Sequence, residues 1–236
     1  MKRLVFLIIA LLCINAVIVA QANTTGDSAN IETRILQAFE SLQISRGINV
    51  TLVEADEPKA EIYIQNASPD EVIIEQEGSK LNIRMKSRSY PDSVAVNVFL
   101  HYQNINKISA LSGGSVYNKW ELETEELMIE SGANAKLELE ILVAKLTINA
   151  ASSEIELNGE AKAFDLNATS GTKVEAGGLE VEDATIRANT GSKVQLLVNN
   201  SLYARIGTGA LVQYAGNPAK VESSVTLGGK LEALNE

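Results

Sequence analysis

The chain has 236 residues, with 20 basic against 30 acidic, 45% hydrophobic, one cysteine and one histidine. Such an acidic balance repels phosphate backbones and argues against nucleic acid as a partner. A single cysteine excludes an internal disulfide, so packed apolar surface must hold the fold, and the length is ample for that.

Met1-Lys2-Arg3 precedes an almost wholly apolar run from Leu4 to Ala20, followed by the small-residue exit Ala20-Gln21-Ala22. A basic start, an apolar centre and such an exit define an export signal over residues 1–22, with cleavage after Ala22. The run falls slightly short of the ~20 residues that span a bilayer. Cys13 follows Leu11 and Leu12 rather than a small residue, and apolar residues continue past it. It therefore reads as an apolar filler, not a lipidation site. Losing Lys2 and Arg3 with the signal leaves 18 basic residues against 30 acidic, a net of −12, and no cysteine. No later run approaches spanning length, so no transmembrane span is expected after cleavage. The expected location is outside the cytoplasm, in the periplasm, at the outer membrane or beyond it.

Residues 23–37 begin polar and small and read as a flexible leader. Within Arg34 to Ser41, the spacing of Ile35, Leu36 and Phe39 fits either one helical turn or an entry strand. Residues 38–107 are written in short alternating runs. Ile44, Ile48, Val50 and Leu52 fall on even positions; Leu81, Ile83 and Met85 alternate with Asn82, Arg84 and Lys86. Val94, Val96, Val98 and Leu100 alternate in the same way. Period-two apolar spacing between turn residues predicts strands and an N-terminal β-rich portion.

From residue 108 to 234 the pattern becomes a repeat. Its copies start at Ser112-Gly113-Gly114, Ser131-Gly132-Ala133, Ala151-Ser152-Ser153, Ser170-Gly171-Thr172 and Thr190-Gly191-Ser192. Two weaker ones follow at Gly207-Thr208-Gly209 and Leu227-Gly228-Gly229. Their starts advance by 19, 20, 19, 20, 17 and 20 residues. Apolar pairs keep step with them: Leu127 with Ile129, Leu146 with Ile148, Leu166 with Ala168, Ala184 with Ile186, Ala204 with Ile206. A fixed period with fixed apolar columns predicts an all-β solenoid of coils of about 20 residues. A lone coil cannot offset its own ordering entropy, at ~1–2 kcal/mol per residue, so stacking is obligatory. The small residues suit sharp corners that must repeat in register. Parallel crossovers are overwhelmingly right-handed, so a right-handed parallel β-helix is expected.

Arg46-Gly47-Ile48-Asn49-Val50 holds a Gly-Ile-Asn signature, and Leu111-Ser112-Gly113-Gly114-Ser115-Val116 opens the repeats. With the export signal, residues 38–232 resemble the head GIN domain family, adhesin-like proteins of Bacteroidetes with unknown function. The resemblance implies a β-helical fold, a cell-envelope or surface location and no known catalytic residues.

Little in the chain promises chemistry. His101 is the lone histidine, and with no second histidine and no cysteine after export, zinc has few ligands to draw on. The carboxylates Glu121, Glu123, Glu125, Glu126, Glu130, Glu138, Glu140, Glu180, Glu182 and Asp183 alternate with apolar residues and read as solvent faces of strands. The calcium-binding β-roll nonapeptide is missing. The Ser-Gly-x-Lys copies lack the helix that follows a phosphate loop. Glycoside cleavage needs two carboxylates ~5–9.5 Å apart across a cleft, and repeats this short leave no room for cleft-building loops. Trp120 is the one tryptophan available as a sugar platform. No catalytic, cofactor-binding or metal residue is therefore assigned.

The resulting expectation is an exported, non-enzymatic envelope or surface protein acting as an adhesion or binding module, with a glycan or surface protein as partner. The alternatives are a structural envelope protein that self-associates as a homo-oligomer and, behind it, a carbohydrate-active enzyme.

Overall fold

A computed structural model describes residues 30–234, so the expected signal at residues 1–22 lies outside the described residues. Among the described residues there is no α-helix, only strands and a single 3₁₀ turn, Pro69–Glu71. The strands join one 17-stranded sheet. It winds into stacked parallel coils, a β-solenoid of about 7 turns with a spacing of about 19 residues. This is the all-β solenoid that the repeat predicts.

The N-terminal strands are β1 (Asn30–Ile35), β2 (Ser41–Ser45), β3 (Asn49–Glu54), β4 (Lys59–Gln65), β5 (Val72–Glu77), β6 (Lys80–Met85) and β7 (Ala95–Tyr102). The repeats supply β8 (Lys107–Leu111), β9 (Ser115–Asn118), β10 (Leu122–Gly132), β11 (Lys136–Ala151), β12 (Glu154–Thr169), β13 (Lys173–Ala188) and β14 (Lys193–Ile206). They end in β15 (Leu211–Ala215), β16 (Lys220–Val225) and β17 (Lys230–Ala233).

β13 shows how a linear pattern becomes a coil. Val174, Ala176, Leu179, Val181, Ala184, Ile186 and Ala188 are buried, and strict alternation slips at Gly177–Gly178 and at Glu182–Asp183. At each slip two consecutive residues face outward, so the strand must bend to keep its apolar side inward. Shifts in pairing with β14 fall at the same places, Ala176/Glu180 and Val181/Asp183. Two bends divide the strand among three faces, and the interior fills with aliphatic side chains.

A tight corner closes each coil. Arg46-Gly47, Ser112-Gly113, Ala133-Asn134, Ser170-Gly171, Thr190-Gly191, Thr208-Gly209 and Leu227-Gly228 are all paired left-handed residues; at Ser152 only one residue is left-handed. In the second copy the corner is thus Ala133-Asn134, two residues beyond the Ser131-Gly132 that the repeat pattern marks. The second amide of one corner donates to the first carbonyl of the next, as in Gly113 N to Ala133 O (2.9 Å) and Gly191 N to Thr208 O (3.0 Å). Left-handed Thr190 and Thr208 are unusual for β-branched residues, and the coils on either side hold them through this ladder. Just inside the corner, the Thr172 hydroxyl donates to Thr169 O and Ser192 to Asn189 O, while the Ser131 and Ser153 hydroxyls share a 2.8 Å bond. These bonds satisfy buried polar groups that would otherwise be costly.

The N-terminal portion stacks out of chain order. β2 and β3 pair in parallel with β8 and β9 on one side and with β6 and β7 on the other. Beyond that layer pairing turns antiparallel, β5 with β6, β4 with β7, and β1 with β4. β1 lies in the stretch that composition assigns to a leader, and Arg34 ties it down by donating to Val72 O (2.7 Å) and Pro69 O (3.1 Å). Of the two readings of Arg34 to Ser41, the strand is the one observed up to Ile35, and Phe39 then enters the core. At the other end, no further strand covers β16 and β17 among the described residues. All of β16 is exposed, including Val221 and Val225, which continue interior columns, and Leu227 is 80% exposed.

Candidate functional site

An open groove of about 650 Å³ crosses successive coils along the bent middle segments of β10 to β13. Parallel register builds it, bringing Glu123, Leu142, Glu160 and Glu180 into one row across four strands. Adjacent coils sit ~4.8 Å apart, so Glu160 and Glu180 are like charges on neighbouring rungs. Glu54, Glu125 and Glu182 add carboxylates along the rim, and Lys162 is the one cation lining it. Tyr102 closes the N-terminal end with its ring buried; burial, and then the Glu54 charge, push its phenol up to about 12. The groove is polar, open and acidic.

His101 sits elsewhere, on β7, with Nε2 3.5 Å from Glu61. Glu61 is held below the usual carboxylate range first by the hydrogen bond from Lys59 and further by the Lys59 and His101 charges, against burial. The arrangement is a surface ion network at the antiparallel end of the stack. The ten carboxylates singled out in the sequence are exposed or half-exposed. Among the described residues, no three His, Cys, Asp or Glu side chains converge closely enough to hold a metal ion. The Ser-Gly-x-Lys copies are corners, and their glycine amides already donate to the next coil, Gly171 N to Thr190 O at 2.9 Å. Trp120 is 62% exposed, with Lys119 over its ring at 5.4 Å.

A second, smaller concavity of about 380 Å³ lies on the face made by the C-terminal halves of β13 and β14, around Arg187, Tyr203 and Arg205. Composition does not reveal it. Only the register of β13 with β14 makes neighbours of the two arginines.

This architecture defines a β-solenoid that offers side faces rather than an enclosed pocket. The sequence profile of the family described as "Putative auto-transporter adhesin, head GIN domain" matches residues 38–218, and the chain belongs to that family. A crystal structure of a putative adhesin from Bacteroides fragilis is similar, with a TM-score of 0.79 at 19% identity, covering 88% of this chain and 99% of that one. One from Parabacteroides merdae gives 0.70 at 18% identity, covering 88% and 96%. A putative lipid binding protein from Parabacteroides distasonis gives 0.61 at 16% identity, covering 89% and 98%. At these identities the likeness is one of fold. No curated protein matches the chain. No helix among the described residues is long and apolar enough to cross a membrane.

Proposed function

We propose that this protein is an exported, non-enzymatic binding module of the cell envelope or surface, which engages a glycan or surface protein through its side faces. The observation that carries the reading is the groove. It runs across the coils as an open, mainly polar trough built by parallel register, suited to an extended partner rather than a sequestered substrate. The adhesin names of the family and of two similar structures support the same class. The test is retention of the mature chain, residues 23–236, on panels of glycans and surface proteins. Saturable binding to one class is expected, and a folded chain that binds nothing at micromolar concentration removes the reading.

A second reading, self-association, is favoured by the C-terminal end of the stack. Val221 and Val225 are 40% and 44% exposed at the end of interior columns, and among the described residues β16 pairs only with β14 and β17 only with β15, each leaving its other edge free. Light scattering decides it. A concentration-dependent oligomer that Val225→Lys dissolves supports end-to-end assembly, whereas a strict monomer at high concentration ends it.

A further inference from the structure

We infer that Arg187, Arg205 and Tyr203 form a subsite for an acidic saccharide, one carrying a carboxylate or phosphate on its ring. The inference rests on the binding-module reading and names the ligand class of one face.

Arg187 and Arg205 are the only arginines in residues 108–234. They are register partners on β13 and β14, both exposed. Like charges directly opposite one another are destabilising, so the fold gains nothing from this pairing. Three lysines of the repeats are neutralised within their own strand, Lys136–Glu138, Lys173–Glu175 and Lys220–Glu222. Neither arginine has such a partner, and neither makes an ion pair among the described residues. The carboxylates nearby are engaged or set apart. Asp183 accepts from Asn200 and Ser201, Glu222 holds Lys220 at 2.8 Å, and Asp165 on β12 lies in the neighbouring row, opposite Thr185.

Register sets the two arginines on adjacent rungs, ~4.8 Å apart along the stack, within reach of one oxyanion through the forked donors that arginine provides and lysine does not. The next row of the same concavity holds Tyr203 opposite Thr185 and Glu222. Its ring is positioned by Lys220, whose Nζ lies 4.8 Å from the centroid and donates to the hydroxyl at 2.7 Å. An exposed aromatic beside an anion fork offers a stacking surface for a sugar ring, with the hydroxyls of Thr185 and Ser224 at the edge. The concavity is open to solvent and has no enclosed channel for an acyl chain. That favours a saccharide over a lipid as the carrier of the charge.

The test uses the mature chain and its Arg187→Gln/Arg205→Gln variant, titrated calorimetrically with oligogalacturonate, a phosphorylated mannan, a neutral glucan oligomer and phosphatidylglycerol vesicles. Thermal melts show both forms folded, with the variant's midpoint unchanged or raised as the like-charge contact is relieved. Binding of at least one acidic saccharide is expected, weakened about tenfold or more in the variant and by added salt, with the neutral oligomer inert. Tyr203→Ala weakens it further without altering its salt dependence. Equal binding by wild type and variant, binding to vesicles alone, or no binding of either acidic saccharide overturns the proposal. If the chain meanwhile binds a panel ligand that the variant binds equally well, the binding-module reading survives and this subsite does not.

Discussion

The amide of Gly47 donates to the carbonyl of Ser112 across 3.2 Å, so two residues far apart in the chain occupy adjacent rungs of one corner ladder. That contact gives the Gly-Ile-Asn signature a physical meaning. Gly47 takes the left-handed position at φ +69°, Ile48 is fully buried, and the Asn49 amide donates to Asn97 across to β7 at 3.2 Å. The signature is thus the corner of an N-terminal coil that the repeats extend. A Cβ on Gly47 would meet nothing within 4 Å, so Gly47→Ala isolates the conformational cost. We expect a loss of ~1–2 kcal/mol in urea unfolding, with the fold retained.

Gly159 gives a contrasting case. Its φ is +106°, and a Cβ there would collide with the backbone carbonyl of Ile141 on the preceding coil. Backbone cannot step aside as a side chain can, so overpacking of ~1–3 kcal/mol adds to the dihedral cost. Gly159→Ala should therefore lower the urea midpoint clearly more than Gly47→Ala does. Equal losses at the two sites would contradict the close approach of β11 and β12.

Architecture was legible in the sequence to an uneven degree, and the unevenness has causes. Period-two burial and the small-residue corners identify a solenoid, because each coil reuses the same pattern. The pairing of columns is another matter. Leu166 and Ala168, aligned by spacing with Leu146 and Ile148, stand opposite Ile148 and Ala150 instead. A slip of two residues leaves every side chain on its own face, so alternation cannot detect it. The out-of-order stacking of β2 and β3 was equally hidden, since single-chain periodicity carries no information on which coil lies above which. The Arg187–Arg205 pair escaped for the same reason. Only register makes neighbours of residues a coil apart.

That register is testable at Phe164, the largest fully buried side chain, which faces Leu146 on one coil and Ala184 on the next. The small partner makes room for the large ring, as a close-packed interior requires. Phe164→Ala should cost ~3–5 kcal/mol by leaving a cavity. Adding Ala184→Phe should recover a substantial part of that loss, because the ring returns to the same interior layer from the neighbouring strand. A double mutant whose losses simply add would place the two residues in separate columns.

Acid sensitivity should report the junction between the N-terminal coils and the long repeats. Glu130 on β10 accepts from Lys107 Nζ at 2.8 Å and from the Ser109 hydroxyl at 2.9 Å, both on β8. The hydrogen bond from Lys107 is the main influence holding its carboxyl below the ordinary glutamate range, with that from Ser109 assisting against partial burial. A carboxylate whose pKa is depressed by folding stabilises the native state above its unfolded pKa, and the gain disappears as pH falls through the lowered folded value. Stability should therefore decline below the usual glutamate range, not above neutrality. Glu130 is 43% exposed, so solvent screening limits the effect to ~0.5 kcal/mol. Urea midpoints at pH 7 and pH 3 measure it. Glu130→Gln should lower the midpoint slightly at pH 7 and lose less than wild type on acidification. If the variant and wild type lose stability in parallel, Glu130 takes no part in the acid response.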